Sequence, residues 1–574
     1  MTRTKPKLPQ LWMLLLATSL TGGVLAACGD DDPPISDAGG AAGAPATGGA
    51  PTTGGGGNVI PGVAGPGLVL TVEKVTVDDA GKATVDFAIA DDNGVALDLD
   101  GYYTVGAVNP RFILSWLGEN DDGESTQYTA YTLREVDAPD GSKVKQSSYD
   151  ADGTFTTREL GKYTYTFATV IDTTKHAKLT HTLGAYATRT VGETRWVSTA
   201  LHDWVPAGGE VTSQLDVVTD TACNSCHTRL EYHGGSRRGV GLCQLCHTES
   251  NSLEPTSGNT IDFQVMIHKI HRGSSLPSVT GKVDPDDPSD NVPSVPYVFG
   301  DDDDFSDVVY PPRLQDCGKC HQGSQGDRWL TRPSQKVCSS CHDRTYFGTG
   351  SLPAGWTMHS AGARDDSECV VCHSENSLYP VDKMHLHINS PEAPELVGTI
   401  VSVTNTAPGE APIVKLSVTR DGTPVDVMDP SKPMNRLTFR IYGPNDESAP
   451  ITEFIQNIVQ EGGGFAVSAC GAPLVAPCVE ESGSDLILHT AEAIPADATG
   501  SWTAVLDGNV TWTPAPPGKP SSIKVSFPNH STTVAVTDAQ PVPRRQVVSV
   551  ASCDECHVDL GFIDHHQLDL NFPD

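Results

Sequence analysis

The chain is short of positive charge. Its 574 residues carry 38 Lys and Arg against 72 Asp and Glu, a formal charge of -34. Such a surface repels nucleic acid and anionic lipid. It suits basic partners, metal cations or positively charged mineral surfaces, although self-repulsion of a soluble exported protein explains most of it with no partner. After residue 28 no run is long and apolar enough to cross a bilayer as a helix. Spare cysteine is scarce too. Of fifteen cysteines, only Cys28, Cys470 and Cys478 stand outside one repeated pattern. Residues 67–215 contain no cluster of catalytic residue types, and His176, His181 and His202 there read as surface or core histidines.

What is present is Cys-x-x-Cys-His, written six times. The copies are Cys223, Cys226 and His227; Cys243, Cys246 and His247; Cys317, Cys320 and His321; Cys338, Cys341 and His342; Cys369, Cys372 and His373; and Cys553, Cys556 and His557. Two thiols at this spacing reach the two vinyl groups of one porphyrin, and the following His is placed as proximal iron ligand. Cys-x-x-Cys alone also serves zinc sites and dithiols. Six copies that all carry the His, with varied spacers, point instead to six haem c groups. Their propionates add further negative charge.

The chain divides in order. Residues 1–28 read as a signal peptide: Arg3, Lys5 and Lys7 begin it, Leu11 to Leu20 form its apolar core, and Leu25-Ala26-Ala27-Cys28 looks like a lipobox. That implies a lipid on Cys28 and a protein anchored to the membrane rather than spanning it. Residues 29–66, rich in Gly, Ala and Pro, read as a disordered tether. Residues 67–215 alternate with period two, as in Val85, Phe87 and Ile89 or Tyr163, Tyr165 and Phe167, and predict an antiparallel sandwich or barrel. Residues 216–390 hold five motifs at about 35 residues each, too little chain for a conventional core. Residues 391–546 return to strands, such as Val414, Leu416 and Val418, with a hairpin expected at Asp507-Gly508. Residues 547–574 hold the sixth motif; they are too few to enclose a haem and need the second β domain or a partner. The expected fold is thus multidomain. Two antiparallel β sandwich or barrel domains alternate with a haem-packed, mainly helix-and-loop multihaem c domain.

An iron with a filled sixth position carries electrons, and one with an open position binds substrate. The five-motif segment offers six candidate distal ligands: His233, His268, His271, His359, His385 and His387. His565 and His566 stand beside the sixth motif. This supply saturates every iron, which favours bis-histidine electron transfer. The apolar spacing of Phe263, Met266, Ile267 and Ile270 predicts a helix on which His268 and His271 clamp two different haems. Met266, Met358 and Met384 lie near candidate histidines, but haem-packing methionine is the commoner role. Arg237 and Arg238 suit propionates or a solvated turn equally. The acidic stretch Asp284 to Asp307 has carboxylates for calcium without EF-hand spacing, and a solvated loop is its simpler reading. Cys470 and Cys478, an even remainder in an exported chain, suggest a disulfide, either a loop staple or a redox-switchable bridge.

These motifs resemble the outer-membrane decahaem cytochromes of the OmcA/MtrC type. The resemblance rests on Cys223 to His227 followed by Leu230, His233-Gly234-Gly235 and the second motif. It rests also on Met266-Ile267-His268-Lys269-Ile270-His271-Arg272-Gly273 and on Phe305-Ser306-Asp307-Val308-Val309-Tyr310-Pro311. It spans most of residues 67–557 and implies a lipid-anchored cell-surface cytochrome. Such proteins pass electrons through bis-histidine haems to ferric or manganese oxides or flavins, fed through a porin–cytochrome conduit or other multihaem cytochromes. The family's second β domain often carries a disulfide pair, to which Cys470 and Cys478 correspond. The family has five haems in its last domain and this chain has one, so a partner completing the C-terminal haem is a further expectation. Two other readings compete: a reductase of a small oxyanion such as nitrite with one open haem, and a structural or adhesive surface protein.

Overall fold

The computed structural model describes residues 63–282, 292–300, 303–311, 313–431, 433–514 and 522–557. The signal peptide with Cys28, most of the tether, Asp284 to Asp290, Asp301, Asp302, His565 and His566 lie outside the described residues.

The first β region is built from two four-stranded antiparallel sheets. One runs Val69–Val77, Lys82–Ala90, Lys162–Val170, Thr154–Glu159 in spatial order. The other runs Thr194–Trp204, His181–Val191, Val108–Glu119, Ser125–Ala130. Alternate side chains leave a strand on opposite faces. Val85, Phe87, Ile89, Tyr163, Tyr165 and Phe167 therefore all point inward, where they meet Phe112, Leu183 and Ala185 of the second sheet. Leu70 N donates to Ser198 Oγ at 2.9 Å and joins the two sheets at one edge.

The second β region repeats this plan with different strands. Leu396–Thr404, Ile413–Arg420, Asp485–His489 and Cys478–Ser482 are antiparallel neighbours, and Ser468–Ala469 adds a parallel edge. The facing sheet runs Gly464–Phe465, Thr452–Gln460, Arg436–Gly443, Ser501–Trp512, with Ile523–Ser526 and His530–Ala535 both on the last strand. Val414, Leu416, Leu437, Phe439, Ile441, Trp502 and Phe527 fill the space between. Cys470 and Cys478 form a disulfide.

The hairpin expected at Asp507-Gly508 is absent. Ser501–Trp512 is one continuous strand. Asp507 is buried and accepts from Arg436 and, at 3.1 Å, from Arg440 Nε on the neighbouring strand. A Cβ on Gly508 would stand 2.8 Å from the Phe527 ring. These two residues are chosen by charge pairing and close packing, not by a turn.

Between the β regions the chain forms short helices and loops. Val240–Cys246 presses Leu242 and Leu245 onto the first β region, joining Ile113, Leu117, Tyr128 and Tyr186. Gly184 permits that approach: a Cβ there would meet Leu245 at 2.5 Å and Leu242 at 2.8 Å. Ser115 Oγ donates to Leu245 O at 3.1 Å. Phe263–Arg272 packs beside Gln335–Cys341 over a small cluster of Ile261, Met266, Leu276, Tyr297 and Phe299.

Candidate haem-binding site

Three of the motifs are seated by capping side chains. Thr219 Oγ1 accepts from Ala222 N at 3.1 Å ahead of Asp220–Asn224. Ser334 Oγ does so from Val337 N at 3.3 Å ahead of Gln335–Cys341. Asp365 and Glu368 form a capping box ahead of Cys369–His373. Helices of one or two turns are too short to stand alone, and caps start them. Positions i, i+3 and i+4 then share one helical face, so both thiols and the imidazole are presented together.

The helix Phe263–Arg272 has its own fixings. Asp262 Oδ1 accepts from Gln264 N at 3.0 Å. Lys269 Nζ reaches Asp343 Oδ2 at 2.9 Å, and Asp343 also accepts from Ser278 N at 3.0 Å and Ser278 Oγ at 2.6 Å. This ion pair, buried at Asp343 and half-buried at Lys269, ties the helix to the residue that follows His342.

Imidazoles face one another in five places. The ring centres are 6.2 Å apart for His227 and His271, 6.1 Å for His233 and His247, and 6.2 Å for His268 and His321. They are 6.0 Å apart for His342 and His385 and 6.1 Å for His359 and His373. Every pair joins one motif histidine to one from outside the motifs. His233 follows His227 closely in sequence yet faces His247. His268 and His271 face different motifs, the third and the first.

The nitrogen roles are set from behind. Nδ1 lies against a backbone carbonyl in His247 (Ile261 O, 2.8 Å), His268 (Gln264 O, 2.6 Å) and His271 (Ile267 O, 2.9 Å). The same holds in His373 (Tyr379 O, 2.9 Å) and His385 (Val381 O, 2.9 Å). With Nδ1–H donated, Nε2 keeps the lone pair. Burial pushes His321 down to about 4 and holds His233 well below the usual imidazole range. These rings are neutral, as metal ligation requires.

A metal–nitrogen bond of about 2 Å on each side, plus about 1 Å from nitrogen to ring centre, spans about 6 Å. The five gaps therefore fit one iron each between two imidazoles. The motif cysteines form no disulfide among themselves. Burial pushes Cys243 and Cys317 up to about 12 and Cys223 and Cys338 up to about 11. Thiols so held stay protonated.

The other candidates are placed as follows. His387 Nε2 lies 4.0 Å from Asp316 Oδ1. Met266 is buried in the helix core, whereas Met384 is exposed. Arg238 pairs with Glu231 at 2.9 Å, and Arg237 lies over the Tyr186 ring at 5.4 Å. Asp303 and Asp304 form an exposed strand pair with Val298–Phe299. His181 is buried between Tyr131 and Trp204, and His176 stacks on Trp116.

Among the described residues, the polar contacts of the sixth motif run to the first and third motifs. Its helix Val550–His557 lies against the first motif: Cys556 Sγ is 3.5 Å from Ser225 O, and Cys226 Sγ is 3.8 Å from Glu555 O. Lys319, inside the third motif, donates to Glu555 O at 2.5 Å. Sequence reasoning also passed over the chemistry of Tyr310, whose hydroxyl lies 3.7 Å from Cys320 Sγ and whose ring edges His271. Nothing in local spacing signals such contacts.

Residues 215–386, which hold all five facing pairs, match the family described as outer membrane cytochrome MtrC/MtrF-like, domains II/IV. The five-motif segment is a domain of that cytochrome family. The chain is similar in fold to the outer membrane decahaem cytochrome OmcA, with a TM-score of 0.58 and 20% identity over 86% of this chain and 75% of OmcA. It is similar also to MtrC from Shewanella baltica OS185, with a TM-score of 0.56 and 19% identity over 87% of this chain and 76% of that one. No curated protein matches the chain. The likeness to OmcA and MtrC takes in more than the family domain and so extends to β regions on either side of it.

Proposed function

We propose that this chain is a six-haem c-type electron-transfer lipoprotein of the outer membrane. The observation that best supports this is the set of five facing histidine pairs. Haem c supplies one-electron oxidation and reduction when bound. The chain's residues do the rest. The twelve motif cysteines would hold the macrocycles, and His227, His247, His321, His342, His373 and His557 would bind their irons. His271, His233, His268, His385 and His359 would be the second ligands of five irons, in that order of motif, and His565 or His566 that of the sixth. At the five facing pairs, two imidazoles per iron would leave no face for a substrate, which would restrict those sites to electron exchange.

The rest of the reading follows the resemblance. Cys28 carries the lipid, and the tether holds the folded part off the membrane at the cell surface. A porin–cytochrome conduit delivers electrons, and ferric or manganese oxides or flavins accept them. The acidic surface suits cationic and mineral acceptors. The contact between the sixth and first motifs supports one connected array rather than two.

Electron paramagnetic resonance and magnetic circular dichroism of the oxidised holoprotein test this, with haem counted per chain by mass. Six low-spin bis-histidine haems are expected. A high-spin fraction near one in six would mark the C-terminal site as open, as an oxyanion reductase needs, and nitrite would then bind there.

A further inference from the structure

The disulfide of the second β region sits in a corner that is chemically unlike the rest of that sheet. Cys478 and Glu480 lie two residues apart on one strand and so on one face. His489 is the direct cross-strand neighbour of Cys478. Cys470 is brought in from the edge, where its N–H donates to Val479 O at 3.2 Å. A Cys470 sulfur, a Glu480 carboxylate oxygen and a His489 ring nitrogen all fall within 4.8 Å of one another.

The histidine is poorly explained as structure. His489 Nε2 is buried without a hydrogen-bond partner, although it stands 3.7 Å from Glu480 Oε1. Its side chain is only 16% exposed, whereas Glu480 is 43% exposed and opens the corner to solvent. A buried ring nitrogen beside a carboxylate and the Cys470 sulfur, with Cys478 bridged to that sulfur, is a ligand set for a borderline-soft dication. Thiolate, imidazole and carboxylate are what zinc takes, tetrahedrally.

We propose that this corner is a thiol-gated site for a dication of the zinc class. While Cys470 and Cys478 are bridged, their sulfurs carry no thiolate charge and the site is closed. A dithiol donor opens it by exchange. The donor's two S–H bonds break, the Cys470–Cys478 bond breaks, and two S–H bonds form on the protein. The donor leaves as its own disulfide, so two electrons and two protons have moved. The metal then displaces the thiol protons and is held by Cys470, Cys478, Glu480 and His489. None of this depends on the haem reading.

The test uses the holoprotein, selected by mass for full haem loading so that no motif cysteine is free. It is treated anaerobically with a dithiol, desalted, equilibrated with zinc chloride and desalted again. The treated protein should retain one zinc per chain more than the untreated protein. Zinc K-edge absorption should show sulfur scatterers at about 2.3 Å. His489→Gln leaves the bridge and the cysteines in place, and after reduction it should hold zinc about tenfold more weakly or worse. Glu480→Gln should weaken it less. Equal zinc in the untreated protein, undiminished retention in His489→Gln, or no zinc after reduction would each overturn the proposal.

Discussion

The two β regions and the segment between them stabilise themselves by different means. The first β region packs rings against rings: Phe87 on Phe112 at 5.1 Å, Phe112 on Tyr165 at 4.9 Å, Tyr165 on Phe167 at 5.1 Å. The second buries Trp502, Phe439 and Phe527 almost completely. Such cores need nothing beyond the polypeptide. The five-motif segment buries few apolar side chains of its own and instead lines its interior with partly exposed imidazoles and thiols. Those groups gain from burial only when something fills the space between them. One chain thus contains two complete interiors and one that its cofactors finish.

The sharpest way to break this contrast is to withhold haem. Chain exported without haem maturation should lose order throughout residues 216–390 while both β regions keep slow amide exchange. Hydrogen exchange by region reads this, and equal protection everywhere would abolish the distinction. Next in size is Phe439→Ala, which should cost about 3–5 kcal/mol. It should lower the unfolding midpoint seen by tryptophan fluorescence and leave the haem absorption midpoint in place.

Asp343→Ala does the converse. It strands Lys269 in a half-buried position and should cost about 3 kcal/mol. The low-spin signals assigned to the first and third motifs should broaden, with the β regions unchanged. The smallest effect is an acid one in the first β region. Burial pushes His181 down to about 4, so between pH 6.5 and 4 the unfolded chain binds more protons than the folded one. Stability should therefore fall as pH drops through that window, by about 2 kcal/mol at pH 5. Denaturant titrations of His181→Gln should show a flatter pH dependence there.

The strands were legible because their signal is local. Val85, Phe87 and Ile89 alternate in sequence and all point inward. The motifs were legible for the same reason, as was the helix that presents His268 and His271. The pairing of imidazoles was not legible. His233 is nearer in sequence to His227 but faces His247, because the path of the intervening turn decides which ring it meets. Asp507-Gly508 misled because a buried ion pair and a close ring contact use the residues a turn would use. The docking of the sixth motif joins Cys226 to residues 329 and 330 positions away. Contacts so remote leave no trace in composition or period.

His268 and His271 are three positions apart on one capped helix. Their offset along its axis is about 4.5 Å, set by the rise per residue. The helix is therefore a gauge block. Loops on either side can swell, shift or be replaced, but whatever the two rings hold keeps a spacing machined by backbone hydrogen bonds. Tolerance in the rest of the segment is affordable because this one dimension is not left to it.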